Sequence, residues 1–190
     1  MTDKSSVDAI LLQCQFQRMG ALTTTRKRLT IILSLLLVTV GADQLTKYAV
    51  RTYLHSPGNF HYFYNCIVLE HAENSGAFLS LGSTLANNTR FWIFTISVAV
   101  FLAGALVFLI QKRAMGRWNT IAVTLLIAGG LGNLIDRITR GTVTDFINLG
   151  IGPLRTGIFN IADVAIVVGV AILMFFSFKS PTHKKKEANK

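Results

Sequence analysis

The chain has 190 residues, 51% of them hydrophobic and only 15% charged. That apolar excess excludes an ordinary soluble domain of this length. The net charge of +10 would suit nucleic acid, but the basic runs carry no interleaved stacking aromatics, so no nucleic-acid partner is expected.

Residues 1–25 are polar and irregular and read as a disordered cytoplasmic tail, with Met19 as an alternative start. The basic cluster Arg26, Lys27, Arg28 then precedes a first apolar span over about 28–50. A rival reading makes this segment a signal peptide cut after Val40-Gly41-Ala42. The apolar pattern continues past Asp43 toward Val50, which favours a span. Asp43 and Lys47 are four apart and share a helical face, as a structural ion pair near a span end would.

The segment Asn59–Gly82 is rich in aromatic and β-branched residues and reads as short strands broken by "ENSG". A second span covers about 90–111, since Phe91–Ile110 has no charge. Lys112, Arg113 and Arg117 lead into a third, about 117–137, where Trp118–Ile135 is uncharged. Gly129 and Gly132 allow a neighbouring helix to come close. Asn133, Asp136 and Arg137 stand at i, i+3 and i+4 on one face, where polar glue between helix ends is the simplest role. "GTVTDFINLGIGPLRTGIFN" reads as strand and turn and contains Asp145. The last span covers about 158–178, with Asn160 and Asp163 on one face near its start. Residues 181–190 form a basic tail.

Each span approximates the ~20 apolar residues a bilayer core needs. Basic clusters fall on alternate connections, the last being Lys179 and Lys184–Lys186. By the positive-inside rule both termini are cytoplasmic, and segments 51–90 and 137–157 lie outside. Asp43, Glu70, Glu73, Asp136, Asp145 and Asp163 then map to span ends or outer segments, which places any chemistry at the outer face. Cys14 and Cys66 fall on opposite sides of the membrane and cannot pair. His55, His61 and His71 lack a partnering motif, so no metal site is expected. One carboxylate resists a bland reading. Asp163 sits in lipid-soluble sequence, where insertion scales charge a carboxylate ~2.5–3.5 kcal/mol. Proton transfer, ion binding and hydrolysis all remain open from the pattern alone. A small ion-coupled transporter would also need Asp163, but it would not need Asp145 in an outer strand. A purely structural adaptor leaves the outer acids unexplained.

"DQLTK" (Asp43–Lys47), "HAENSGAF" (His71–Phe78), "GGLGNLIDR" (Gly129–Arg137), "GTVTDF" (Gly141–Phe146) and "FNIAD" (Phe159–Asp163) occur in that order. Together they resemble lipoprotein signal peptidase, or signal peptidase II, of bacteria, over about Arg28 to Phe178. The resemblance implies a mainly α membrane protein: four transmembrane helices, a small extracytoplasmic β-cradle and a short periplasmic helix. It implies a single integral-membrane peptidase domain over 26–180, in the bacterial inner membrane, without cofactor and as a monomer. It implies an aspartic endopeptidase that cuts diacylglyceryl-prolipoproteins just before the lipidated cysteine, contacts membrane lipid, and is blocked by globomycin-type peptides. The catalytic aspartates would be Asp145 and Asp163. The supporting residues would be Asp43, Lys47, Asn74, Asn133, Asp136, Arg137 and Asn160. Asn74, Asn133 and Asn160 would orient the substrate backbone, and Arg137 would hold a loop. The two aspartates would face each other and share one proton.

Overall fold

The computed structural model describes residues 4–54, 59–76, 82, 84–112 and 115–178, with side chains over 25–176. Helix α1 (Lys4–Tyr53) is followed by strands β1 (Phe60–Tyr62) and β2 (Ile67–Asn74). Helices α2 (Asn87–Gln111) and α3 (Arg117–Arg140) come next. Strands β3 (Val143–Ile151) and β4 (Leu154–Arg155) precede the last helix, α4 (Ile161–Phe178). The expected bundle with a small antiparallel sheet is present.

The segments Thr25–Tyr53, Asn87–Gln111 and Arg117–Arg140 are long and apolar enough to cross a membrane. Helices satisfy their own backbone groups, so they suit a medium that offers no partners. Helix α4 has 18 residues. At ~1.5 Å per residue it reaches about 27 Å, close to the thickness of a hydrocarbon core. Large apolar side chains such as Leu33, Leu37, Phe101 and Val167 point outward, which lipid tolerates and water does not.

Two boundaries differ from expectation. The irregular tail expected over 1–25 is helical from Lys4 onward, continuous with α1. Its Leu, Ala, Gln, Met and Arg residues are good helix formers, and no proline interrupts them. The last helix begins at Ile161 rather than near 158, for reasons given with the site. The four-residue turn Asn87–Arg90 runs directly into the π-helical stretch Phe91–Ile96 of α2. Any separate short helix after β2 lies outside the described residues.

Helix α3 is central and packs against α1, α2 and α4. The close approaches rest on its glycines. A Cβ on Gly129 would run into the Ala162 carbonyl oxygen, and one on Gly132 would sit 2.5 Å from Asp43 Oδ2. Gly129→Ala is therefore expected to destabilise the bundle by about 1–3 kcal/mol, as overpacking does. Thermal unfolding in detergent checks this, and an unshifted midpoint would contradict it. At one end of the bundle Ile32, Leu109 and Ile127 form an apolar core. The other end carries the sheet, ordered β1-β2-β3-β4.

Candidate active site

Helix α3 ends at Gly141, whose φ of 77° is the left-handed cap conformation that glycine adopts without strain. The chain turns there into β3, where Val143, Thr144, Asp145 and Phe146 are all buried. Strand β2 pairs antiparallel with β3 in the register Ala72↔Asp145, Glu73↔Thr144, Asn74↔Val143. That register brings Asn74 Nδ2 to Asp145 Oδ2, a hydrogen bond of 2.9 Å.

The segment before α4 is held to the other edge of β3. Phe146 N and Ile147 N donate to the Phe159 carbonyl, and Phe159 N donates back to Ile147 O. Extended pairing at 159 cannot also be helical, so α4 starts only at Ile161. Asn160 caps it. Asp163 N donates to Asn160 Oδ1 at 3.0 Å, and Asn160 N donates to Asp163 Oδ2 at 3.2 Å. This reciprocal pair satisfies two of the helix's orphan donors. Asp163 thus stands in the first turn of α4, where the helix dipole favours negative charge. The apolar setting that made this carboxylate look anomalous is relieved by its cap and its helix end.

The Asn160 side chain also donates to Asp145 Oδ1 at 2.6 Å and to Asn133 Oδ1 at 3.1 Å. Asn133 Nδ2 donates to Asp163 Oδ1 at 2.8 Å. Asn133 and Asn160 therefore tie the two carboxylates into one cluster. Among the described residues no hydrogen bond joins Asp145 to Asp163 directly. Asn74, Asn133 and Asn160 each donate an amide hydrogen bond to one of these carboxylates.

Beneath the cluster lies a buried ionic core. Lys47 Nζ is 2.9 Å from Asp43 Oδ2 and 3.1 Å from Asp136 Oδ2, with all three side chains fully buried. It donates as well to Asn133 Oδ1 at 3.0 Å. Asp43 Oδ1 accepts from Ala162 N at 3.0 Å, pinning the start of α4 to α1. Asp136 accepts from Arg140 at 2.9 Å and from Thr144 N at 3.2 Å, fixing the strand residue next to Asp145. Arg137 takes a different path. It donates to the Gly76 carbonyl at 2.9 Å, while Gly76 N donates to Asn74 Oδ1 at 2.9 Å. Arg137 and Asn74 thus both bond the backbone of Gly76, after β2.

Three contributors were not singled out from the sequence. Gln44 donates to the Gly132 carbonyl at 3.0 Å and to Asp43 Oδ2 at 3.2 Å. Glu73 accepts from Thr142 at 2.5 Å and Thr144 at 3.0 Å, and meets His71 at 2.9 Å. Arg51 donates to Thr144 Oγ1 at 3.0 Å. Burial works to raise the Glu73 carboxyl, but hydrogen bonds from Thr142, His71 and Thr144 outweigh it and hold the group below its usual range. The opposite holds at Asp145. Burial pushes it up to about 6, the Asp163 charge adds to the rise, and hydrogen bonds from Asn74 and Asn160 only partly oppose it.

Asp145 and Asp163 line a cavity of about 340 Å³ whose other walls include Phe94, Val98, Ile166 and Val167. A second recess of about 280 Å³ shares Ile158, Asp163 and Val167 with it. Phe94, Val98, Ile166 and Val167 make one part of the wall apolar, while Asp145, Asp163, Asn133 and Arg137 make the other polar. Two carboxylates held by amides, one of them with a raised pKa, can hold a proton between them and polarise water.

Comparison with known proteins gives concordant results. A family model described as signal peptidase (SPase) II matches residues 35–179. The lipoprotein signal peptidases of Staphylococcus aureus strains JH9 and Newman are each 33% identical over 145 residues. That covers 76% of this chain and 86% of each relative. A solved structure titled as a bacterial membrane enzyme at 2.3 Å resolution superposes with TM-score 0.70 and 29% identity, over 84% of this chain and 94% of that one. A second, at 1.9 Å, gives TM-score 0.66 and 28% identity, over 78% and 93%.

Proposed function

The chain belongs to the signal peptidase II family, a family of proteases, and on that premise we propose that it is an aspartic endopeptidase of diacylglyceryl-prolipoproteins. It removes their signal peptides just before the lipidated cysteine. The observation that carries the aspartic assignment is the pair Asp145 and Asp163, tied through Asn133 and Asn160 at the wall of one cleft.

In this reading the pair holds one proton. The ionised member takes a proton from water as the oxygen attacks the scissile carbonyl. The protonated member donates a hydrogen bond to the carbonyl oxygen as charge develops. It then supplies the proton that the leaving amine needs. The pair titrates as a unit. Asn74, Asn133 and Asn160 keep the carboxylates in place, and Asp43, Lys47 and Asp136 brace the helices beneath. The apolar wall of Phe94, Val98, Ile166 and Val167 faces the substrate's signal helix and acyl chains. Globomycin-type peptides would occupy the same cleft.

The architecture we propose is one integral-membrane domain over 26–180, monomeric, with α4 as a fourth span. Both termini are cytoplasmic and the carboxylates lie at the outer face of the inner membrane. Arg26, Lys27, Arg28 and Lys112 stand at the end remote from the sheet, in keeping with that orientation. Reporter fusions at Ser83 and Lys190 should report opposite sides. A Lys190 fusion found outside would overturn the topology.

Purified protein in detergent should cleave a diacylglyceryl-modified prolipoprotein and leave its unlipidated form intact. Equal cleavage of both would remove the lipid from the proposed specificity. The raised carboxyl of Asp145 adds a pH signature. Above its folded pKa the shared proton is lost and with it the acid role. The alkaline limb of kcat/KM should therefore have an apparent pKa of about 6 or higher, moving up as lipid further desolvates the cleft. A kcat/KM that stays flat from about pH 5 to pH 9 would argue against a shared proton.

A further inference from the structure

At the end of the bundle remote from the carboxylates, a cavity of about 550 Å³ opens between α1 and the start of α3. Its lining includes Lys27, Arg28, Ile31, Met115, Arg117 and Thr120. Three of these side chains are cationic, and among the described residues no carboxylate lines the space. Among the described residues none of the three joins an ion pair. Arg28 is anchored by a guanidinium hydrogen bond to the Leu109 carbonyl, yet its Nε is buried without a partner, and so is Thr120 Oγ1. Buried polar groups are nearly always satisfied, so two orphans beside one cavity call for a partner from outside. The first turn of α3 adds to the demand. Gly116 caps it without a side-chain hydrogen bond, and the first backbone N–H groups of a helix suit an anion.

Position identifies the source of that anion. Arg28 and Lys47 are 19 residues apart on one helix, or about 28 Å at ~1.5 Å per residue. That is close to the ~30 Å of a hydrocarbon core. With the ionic core near one boundary, the cationic cavity lies at the other, at the level of lipid phosphates. Ile31 and Met115 give it an apolar wall. Ser34, Val38 and Leu45 continue the Ile31 face of α1, and Val38 and Leu45 are 66% and 70% exposed, a track for an acyl chain.

We propose that this cavity binds the phosphodiester headgroup of an anionic membrane phospholipid. Arg28 and Arg117 hold the phosphate oxygens, Lys27 adds charge, and Thr120 donates its hydroxyl. The site stands apart from the cleavage chemistry, so its test does not depend on activity. Native mass spectrometry of the detergent-solubilised protein would compare retention of phosphatidylglycerol with that of phosphatidylcholine. Arg28→Gln would remove the Leu109 anchor along with the site, so the informative variant is Lys27→Gln with Arg117→Gln. Its preference for phosphatidylglycerol should drop at least about tenfold, at about fivefold per basic residue near a lipid surface. Lys112→Gln, beside Phe108 and outside the cavity lining, should keep the wild-type preference. An unchanged preference in the double variant, or equal retention of both lipids by the wild type, overturns the proposal. If inorganic phosphate alone displaces phosphatidylglycerol and is retained in its place, the ligand is a free phosphate and the lipid assignment fails.

Discussion

Asp145→Asn and Asp163→Asn are each expected to abolish prolipoprotein cleavage while the protein stays folded. Asparagine keeps the size of the side chain and one acceptor oxygen. At 163 that oxygen can still take the Asn160 backbone N–H and so preserve the cap of α4. At 145 it can keep one of the two amide bonds, from Asn74 or from Asn160. What asparagine cannot do is give or take the proton, a contribution of ~10²–10⁴-fold for general acid–base catalysis alone. The two losses should be far from additive, with the double variant about as inactive as either single one. Binding of the lipidated substrate should largely survive, since most of the cleft wall is apolar and untouched. Asp136→Asn is the contrast. Its carboxylate faces Lys47, Arg140 and the Thr144 N–H rather than the cleft, so it should lower the unfolding midpoint more than kcat. Normal turnover by a folded Asp145→Asn or Asp163→Asn protein would rule out the dyad and move the ion-coupled reading of Asp163 to first place.

Long-wavelength features of this fold were legible in the sequence because lipid imposes them. An uncharged run of about 20 residues has few options in a bilayer, and α2 and α3 lie close to where the runs place them. The sheet was legible from aromatic and β-branched clusters, and Gly129 and Gly132 from their spacing. Boundaries set by tertiary pairing were not. Nothing local in "GIFNIAD" says that Phe159 will pair with Ile147 and delay the helix to Ile161. The same limit applies to partners. Asp43 and Lys47 are visible as i, i+4, but Ala162 N reaches Asp43 across 119 residues, and spacing carries no trace of it. Glu73 left a weak signal: it alternates with His71, so the two share one strand face. Its threonine partners lie elsewhere in the chain, Thr142 just before β3 and Thr144 on it.

Lys47→Met should destabilise the folded protein by about 3–5 kcal/mol, the range for removing one partner of a buried ionic cluster. Lys47 is fully buried and, among the described residues, is the one cation within hydrogen-bonding distance of both Asp43 and Asp136. Arg51 is 3.8 Å from Asp136 Oδ1 and the partly exposed Arg140 is 2.9 Å from the same oxygen. Neither substitutes for Lys47 at Asp43. Methionine fills similar volume, so the loss is mainly electrostatic: two carboxylates on adjacent helices stay buried with their shared counter-ion gone. Against a total of ~5–15 kcal/mol this is a large share, and thermal unfolding in detergent should show a much lower midpoint. The origin of the loss can be separated by adding Asp43→Asn. That variant removes one of the stranded charges and keeps an oxygen for the Ala162 N–H, so the double variant should recover part of the midpoint. Activity should not return with it. Lys47 also helps orient the Asn133 amide that donates to Asp163, and methionine leaves its oxygen held by Asn160 alone. The expected pattern is a partly restored midpoint with kcat still depressed. A Lys47→Met protein that unfolds within about 1 kcal/mol of wild type, the scale of an exposed ion pair, would mean that the three charges do not brace the bundle.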